Sequence, residues 1–130
     1  MTHLEHAALW VDDLEKISAF YGKYLGAAIG QLYENPGKGF SSRFATFETG
    51  ARLEIMTTST LSLERLAPGV QRHGLTHLAF SLGSETAVDE LTARLSSDGY
   101  TVIDGPRLTG DGYYESVALD PEGNRIELTT

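Results

Sequence analysis

Apolar and polar positions alternate along this chain in two successive and similar series. Leu4 to Val11 is short and mostly apolar, as a buried or half-buried strand should be. Asp12-Asp13 then offers an N-cap and negative charge for a helix, in which Leu14, Ile17, Phe20, Tyr21, Tyr24 and Leu25 recur at helical spacing before Gly26. Ala27 to Tyr33 reads as a second strand, and Asn35-Pro36-Gly37-Lys38-Gly39 as a loop. Arg43 to Glu48 and Arg52 to Met56 read as two further strands across the Glu48-Thr49-Gly50-Ala51 turn.

A polar connection from Thr57 to Arg72 follows, with a short helical piece expected around Leu61 to Leu66 and a break at Pro68-Gly69. The same order then returns. Leu75 to Leu82 reads as a strand, and Ser84 caps a helix whose Val88, Leu91 and Leu95 share a face before Gly99. Tyr100 to Asp104 reads as a strand, with Gly105-Pro106 and Thr109-Gly110-Asp111-Gly112 as loop. Tyr114 to Leu119 and Arg125 to Thr129 read as strands joined by Asp120-Pro121-Glu122-Gly123-Asn124, a type I turn signal. The pattern predicts one domain over residues 1–130, of α+β class, built from two βαβββ modules at roughly 1–67 and 70–130.

Residue identities support an internal repeat. His6-Ala7-Ala8-Leu9 matches His77-Leu78-Ala79-Phe80, and Arg52-Leu53-Glu54-Ile55 matches Arg125-Ile126-Glu127-Leu128. His77 lies 71 residues after His6, and Glu127 lies 73 after Glu54, so the series stay in phase within two residues. Each half thus carries one histidine on its first strand and one glutamate on its last. Two imidazoles and two carboxylates suit a divalent ion such as zinc, nickel, cobalt, manganese or iron. Taken singly, each of the four is more simply a core histidine or the solvent-facing glutamate of an alternating strand. Taken as symmetry-related pairs, they make a four-ligand site.

Composition narrows the function classes. The 130 residues contain no cysteine, which removes disulfides, thiolate ligands and a cysteine nucleophile. Eighteen acidic against ten basic residues give a net charge of −8, the wrong sign for a nucleic-acid or anionic-membrane partner. The first residues lack a signal-peptide pattern, and no apolar run approaches the roughly 20 residues of a membrane span. The expectation is a soluble cytoplasmic protein acting on a small molecule. His3 and His73 read as surface residues, Trp10 as core or site wall, and Arg43, Arg52, Arg107 and Arg125 as solvated strand charges before substrate anchors. Tyr113-Tyr114-Glu115 follows a glycine-rich loop that is a candidate site cover.

The segments His6-Ala7-Ala8-Leu9-Trp10-Val11-Asp12-Asp13-Leu14-Glu15, Phe20-Tyr21, Leu25-Gly26, Arg52-Leu53-Glu54-Ile55, Gly74-Leu75-Thr76-His77-Leu78-Ala79-Phe80 and Asp120-Pro121-Glu122-Gly123-Asn124-Arg125-Ile126-Glu127-Leu128 carry a family likeness. Through them the chain resembles the vicinal oxygen chelate superfamily: glyoxalase I, extradiol dioxygenases, methylmalonyl-CoA epimerase, and fosfomycin- and bleomycin-resistance proteins. The resemblance spans essentially the whole chain. It implies two βαβββ modules whose mixed sheets curl around a metal site, with the metal positions on His6, Glu54, His77 and Glu127. A full His-Glu-His-Glu set resembles glyoxalase I (lactoylglutathione lyase). Extradiol dioxygenases and fosfomycin-modifying members typically use two His and one Glu, the epimerase typically has Gln at the position of Glu54, and bleomycin-binding members usually lack the set.

The implied activity is a lyase or isomerase reaction on the hemithioacetal of a 2-oxoaldehyde and a thiol. Proton transfer passes through an enediolate that the divalent metal stabilises, and the product is a 2-hydroxyacyl thioester. By resemblance Glu127 is the main base, Glu54 a ligand and second base, and His6 and His77 hold the metal. A metal-free antibiotic-binding protein of the bleomycin-resistance type, or another metal enzyme of the superfamily such as a thiol transferase or epimerase, are the alternatives. The resemblance also implies a homodimer, some members of the family building each site from two chains.

Overall fold

The computed structural model describes every residue except Leu63 and Gly69. The chain forms two compact units, Met1–Glu64 and Arg65–Thr130. Each is an open mixed sheet, curled rather than closed, with one helix of two to four turns' length against it. The α+β class and the repeated strand-helix-strand order expected from the sequence are present.

The first unit begins with β1 (His6–Trp10) and α1 (Leu14–Leu25). Asp13 caps α1, its side chain accepting from the Lys16 N–H at 3.0 Å. The helix stops at Gly26, whose φ of +67° gives the left-handed cap that a side chain would oppose. Its buried face, Leu14, Ile17, Phe20, Tyr21 and Tyr24, packs across the sheet strands β4 (Phe40–Thr46) and β5 (Arg52–Thr58). The single strand expected over Ala27 to Tyr33 is instead two short pieces, β2 (Ala28–Ile29) and β3 (Tyr33–Asn35), which both pair with β4. Gly30 interrupts them, its N–H donating to the Phe44 carbonyl at 2.8 Å. The strand order is β1-β5-β4-β2, with β1 and β5 parallel and the rest antiparallel.

The second unit contains β6 (His77–Ser81), α2 (Glu85–Ser97), β7 (Val102–Leu108), β8 (Tyr114–Leu119) and β9 (Arg125–Thr129), in the order β6-β9-β8-β7. Ser84 caps α2 through the Ala87 N–H at 3.1 Å. Val88 and Leu95 of α2, with Ala118, Ile126 and Leu128 of the sheet, are fully buried and form this unit's core. Each such branched side chain removed from water contributes on the order of 1.5–3 kcal/mol. A hydrogen-bonded pair sits within this core: Thr92 Oγ1 donates to the Val88 carbonyl at 2.6 Å and accepts from Ser116 at 2.7 Å.

Gly105-Pro106, expected as loop, lies inside β7. The pairing of β7 with β8 shifts register between Asp104 and Arg107, which accommodates the dipeptide as an irregularity. β7 is the edge of its sheet, so proline can sit there without depriving a neighbour on the outer side of a donor. Gly105 has φ +78°, and a Cβ there would stand 2.5 Å from the Glu115 carbonyl oxygen. Only glycine fits such an approach.

The helical turn expected around Leu61 to Leu66 includes Leu63, and the break at Pro68-Gly69 includes Gly69; both lie partly outside the described residues. The described residues of Leu61 to Leu66 are not helical. Among the described residues, no helix is long and apolar enough to cross a membrane.

Candidate metal-donor pairs

Strand register brings each histidine to a glutamate. In the first unit the parallel pairing of β1 with β5 sets His6 opposite Arg52 and Ala8 opposite Glu54. In the second, β6 against β9 sets His77 opposite Arg125 and Ala79 opposite Glu127. The two registers are equivalent, residue type for residue type. Alternation along each strand sends Leu53 and Ile55, or Ile126 and Leu128, to the buried face. Arg52 and Glu54, or Arg125 and Glu127, take the opposite face.

The outcome is a His–Glu pair in each unit. His6 Nε2 lies 3.8 Å from Glu54 Oε1, and His77 Nε2 lies 3.3 Å from Glu127 Oε2. The glutamate side chains are only 20% and 18% exposed, against 42% and 39% for the histidines. These glutamates are therefore not the freely solvated outer positions of alternating strands. Two ligands at 2.0–2.2 Å from a common divalent ion stand roughly 3 Å apart when adjacent. The His77–Glu127 gap is close to that, and the His6–Glu54 gap closes with a small side-chain adjustment. One imidazole nitrogen and one carboxylate oxygen per pair also suit the borderline ions zinc, nickel, cobalt, manganese and iron. Among the described residues, no group of three or more His, Asp or Glu side chains gathers as a metal site.

The surroundings of the pairs differ. Glu5 touches His6 at Nδ1, on the side of the ring away from Glu54. Glu5 in turn accepts from Arg52 Nε at 2.9 Å and from Arg52 Nη2. Arg52 lies over the Phe44 ring, 4.0 Å from its centroid, and His6 meets the same ring edge-on at 5.7 Å. The bond to His6, followed by that to Arg52, lowers the Glu5 carboxyl below its ordinary range. In the second unit, burial and then a hydrogen bond with Glu127 push the Glu115 carboxyl above its ordinary range. Thr76 takes the place of Glu5, and Arg125 Nη1 is buried without a hydrogen-bond partner.

Glu5 and Glu115 are the carboxylates that sequence reading passed over as participants. The available signal for Glu5 was an acid directly before the histidine, with an arginine opening the strand that pairs with it. Of the arginines expected as solvated charge, Arg107 is exposed, while Arg43 and Arg52 are half-buried, and all three have acceptors. Arg52 is bonded as above, Arg43 bonds Glu15 at 3.0 Å and the Gly30 carbonyl at 2.8 Å, and Arg107 grips Asp104 at 2.9 Å. Trp10 is half exposed rather than core, with its ring edge-on to Phe40 at 6.1 Å. His3 and His73 are exposed, as expected. The loop before Tyr114 is cinched on itself: Thr109 N–H donates to the Tyr113 carbonyl at 2.7 Å, and Tyr113 N–H to Thr109 Oγ1 at 3.0 Å. Tyr114 donates its hydroxyl to Asp89 of α2.

Comparison with known proteins places this geometry among relatives. The sequence model described as the Glyoxalase/Bleomycin resistance protein/Dioxygenase superfamily matches residues 3–128. The uncharacterized protein YqjT of Bacillus subtilis (strain 168) is 32% identical over 130 residues, covering 96% of each chain. The uncharacterized protein PA2024 of Pseudomonas aeruginosa is 32% identical over 134 residues, covering 97% of this chain and 86% of its own. Among solved structures, the trypanothione-dependent glyoxalase I of Leishmania major superposes with a TM-score of 0.77 at 19% identity, over 100% of this chain and 87% of that one. At that identity the likeness is one of fold.

Proposed function

The chain belongs to the glyoxalase/bleomycin resistance protein/dioxygenase superfamily, and on that footing we propose that it is a metal-dependent, glyoxalase I-like lyase. The observation that supports this reading is the His–Glu pair repeated at the same strand register in both units. His6 with Glu54, and His77 with Glu127, are the residues proposed to hold a divalent metal ion. A divalent ion held by these residues would supply Lewis acidity toward negative charge developing on the substrate.

The protein's own part is proton transfer. The substrate is the hemithioacetal of a 2-oxoaldehyde and a thiol. Glu127 takes the proton from the carbon bearing sulfur and hydroxyl and returns it to the adjacent former carbonyl carbon, while the hydroxyl proton passes to the former carbonyl oxygen. The product is the isomeric 2-hydroxyacyl thioester, with no atom gained or lost. Glu54 is a ligand and second base. The same reading carries a homodimer in the cytoplasm, which sedimentation and fractionation test.

Elemental analysis of untagged protein, with turnover of methylglyoxal and a panel of thiols, is the deciding experiment. About one divalent ion per chain and thioester formation are expected. Glu127→Gln should lower turnover by roughly 10²–10⁴-fold, the range of a positioned general base. Undiminished turnover in that variant refutes the base assignment, and a parent protein without stoichiometric metal refutes the lyase reading in favour of a metal-free binding protein.

A further inference from the structure

The two His–Glu pairs occupy equivalent registers and yet are built differently, and the difference lies on the far side of each imidazole. We infer that Glu5, pinned by Arg52, is a positioning residue that fixes the tautomer and orientation of His6, giving the first pair a pre-set nitrogen donor that the second pair lacks. The inference rests on the reading of His6 as a metal ligand.

A neutral imidazole carries one ring proton, and the hydrogen bond made by one nitrogen decides where it sits. A carboxylate can only accept. With Glu5 against Nδ1, the proton belongs on Nδ1, which donates it to Glu5 and leaves the Nε2 lone pair facing Glu54. That is the arrangement by which carboxylates behind ligating histidines raise ligand basicity and fix the ring. Glu5 is itself held. Arg52 reaches it through both Nε and Nη2, and the backbone Arg52 N–H donates to the Glu5 carbonyl at 3.0 Å, so the β1–β5 ladder starts at this residue. Phe44 receives the Arg52 guanidinium on its face and the His6 ring at its edge. Three side chains, Glu5, Arg52 and Phe44, thereby restrict one imidazole before any ligand arrives.

His77 has the same opposing residue type, Arg125, at the same register. Thr76 supplies no carboxylate, and Arg125 Nη1 is left buried without an acceptor. Among the described residues, Glu127 is the only polar partner of the His77 ring. Thr76 is thus the natural control position for Glu5.

Two measurements on the full chain test this. In ¹⁵N-labelled, metal-free protein near pH 8.5, about two units above the ordinary histidine value, long-range ¹H–¹⁵N spectra should show His6 protonated at Nδ1. Glu5→Ala should move it toward the Nε2–H form, and Glu5→Gln, whose amide oxygen still accepts, should restore it. Calorimetric titration with zinc chloride alone should show Glu5→Ala binding roughly 10–100-fold more weakly than the parent, with Thr76→Ala within twofold. A parent His6 protonated at Nε2, or an unchanged tautomer or zinc affinity in Glu5→Ala, overturns the inference. A parent with the expected tautomer that binds no zinc overturns the metal reading instead, while the hold of Glu5 on His6 stands.

Discussion

Asp120 offers the sharpest test of how the second unit delivers Glu127. It lies between β8 and β9, only 3% exposed. Its Oδ1 accepts from the backbone N–H groups of Glu122 and Asn124, both at 2.9 Å, and its Oδ2 from Asn124 Nδ2 at 2.9 Å. The Asp120 N–H donates to the Asn124 carbonyl at 2.9 Å, closing the turn beside the Leu119–Arg125 register pair. Glu127 follows two residues later, so the turn sets which residues of β9 face which way. Hydrogen bonds to an ionised acceptor contribute about 1.5–3 kcal/mol each. Glu122 and Asn124 are half-buried, and water can partly rehydrate their donors once the carboxylate is gone. The full sum is therefore not reached, and about 3 kcal/mol is expected for Asp120→Ala. For a chain of this size that lowers Tm by roughly 10 °C. Asp120→Asn keeps an oxygen for the two backbone donors and should cost about 1 kcal/mol. Urea unfolding followed by circular dichroism, with calorimetry for Tm, measures both. An alanine variant within about 0.5 kcal/mol of the parent, or an asparagine variant as damaging as alanine, would refute the claim that these bonds hold the turn.

Two further outcomes are expected. Thr92→Val leaves the buried Ser116 hydroxyl without a partner and should cost about 1–3 kcal/mol, whereas Ser116→Ala costs about 1 because Thr92 still donates to Val88; in urea unfolding the double variant should cost less than the sum of the two. The hydrogen bond of Tyr114 to Asp89, then desolvation and the Asp89 charge, raise its phenol above the ordinary 10.0. A group raised on folding stabilises fully below its unfolded value and loses that contribution as pH climbs through the folded one. The stability advantage of the parent over Tyr114→Phe should therefore be constant at neutral pH and vanish in strong alkali, with one late-titrating phenolate that Asp89→Asn removes.

How much of this was legible in the sequence depends on whether the signal was local. α1 was readable to its end residues because its start and stop are encoded by neighbours, the Asp13 cap and the left-handed Gly26. β8 and β9 were readable because alternation and the Asp120 turn bracket them. β7 was readable only to Asp104, because Gly105-Pro106 reads as a loop, and only the edge position and the register shift let the strand run through to Leu108. The His and Glu positions could be picked out by repetition. Their pairing could not, since register between β1 and β5 is settled by which faces are buried and not by either strand alone. Glu5 was passed over for the same reason: its importance comes from Arg52, 47 residues away.

The parallel pairing of each unit's first strand with its last has a consequence for the order of events in folding. Glu54 follows His6 by 48 residues, and Glu127 follows His77 by 50. Neither pair exists until a loop of nearly the whole unit has closed, and contacts of such separation form late and at high entropic cost. Donor pairing is thus a check on completeness: a chain stalled before β5 or β9 lacks the inner strand that pairs with the histidine strand and carries the glutamate, and offers no two-donor seat to an ion.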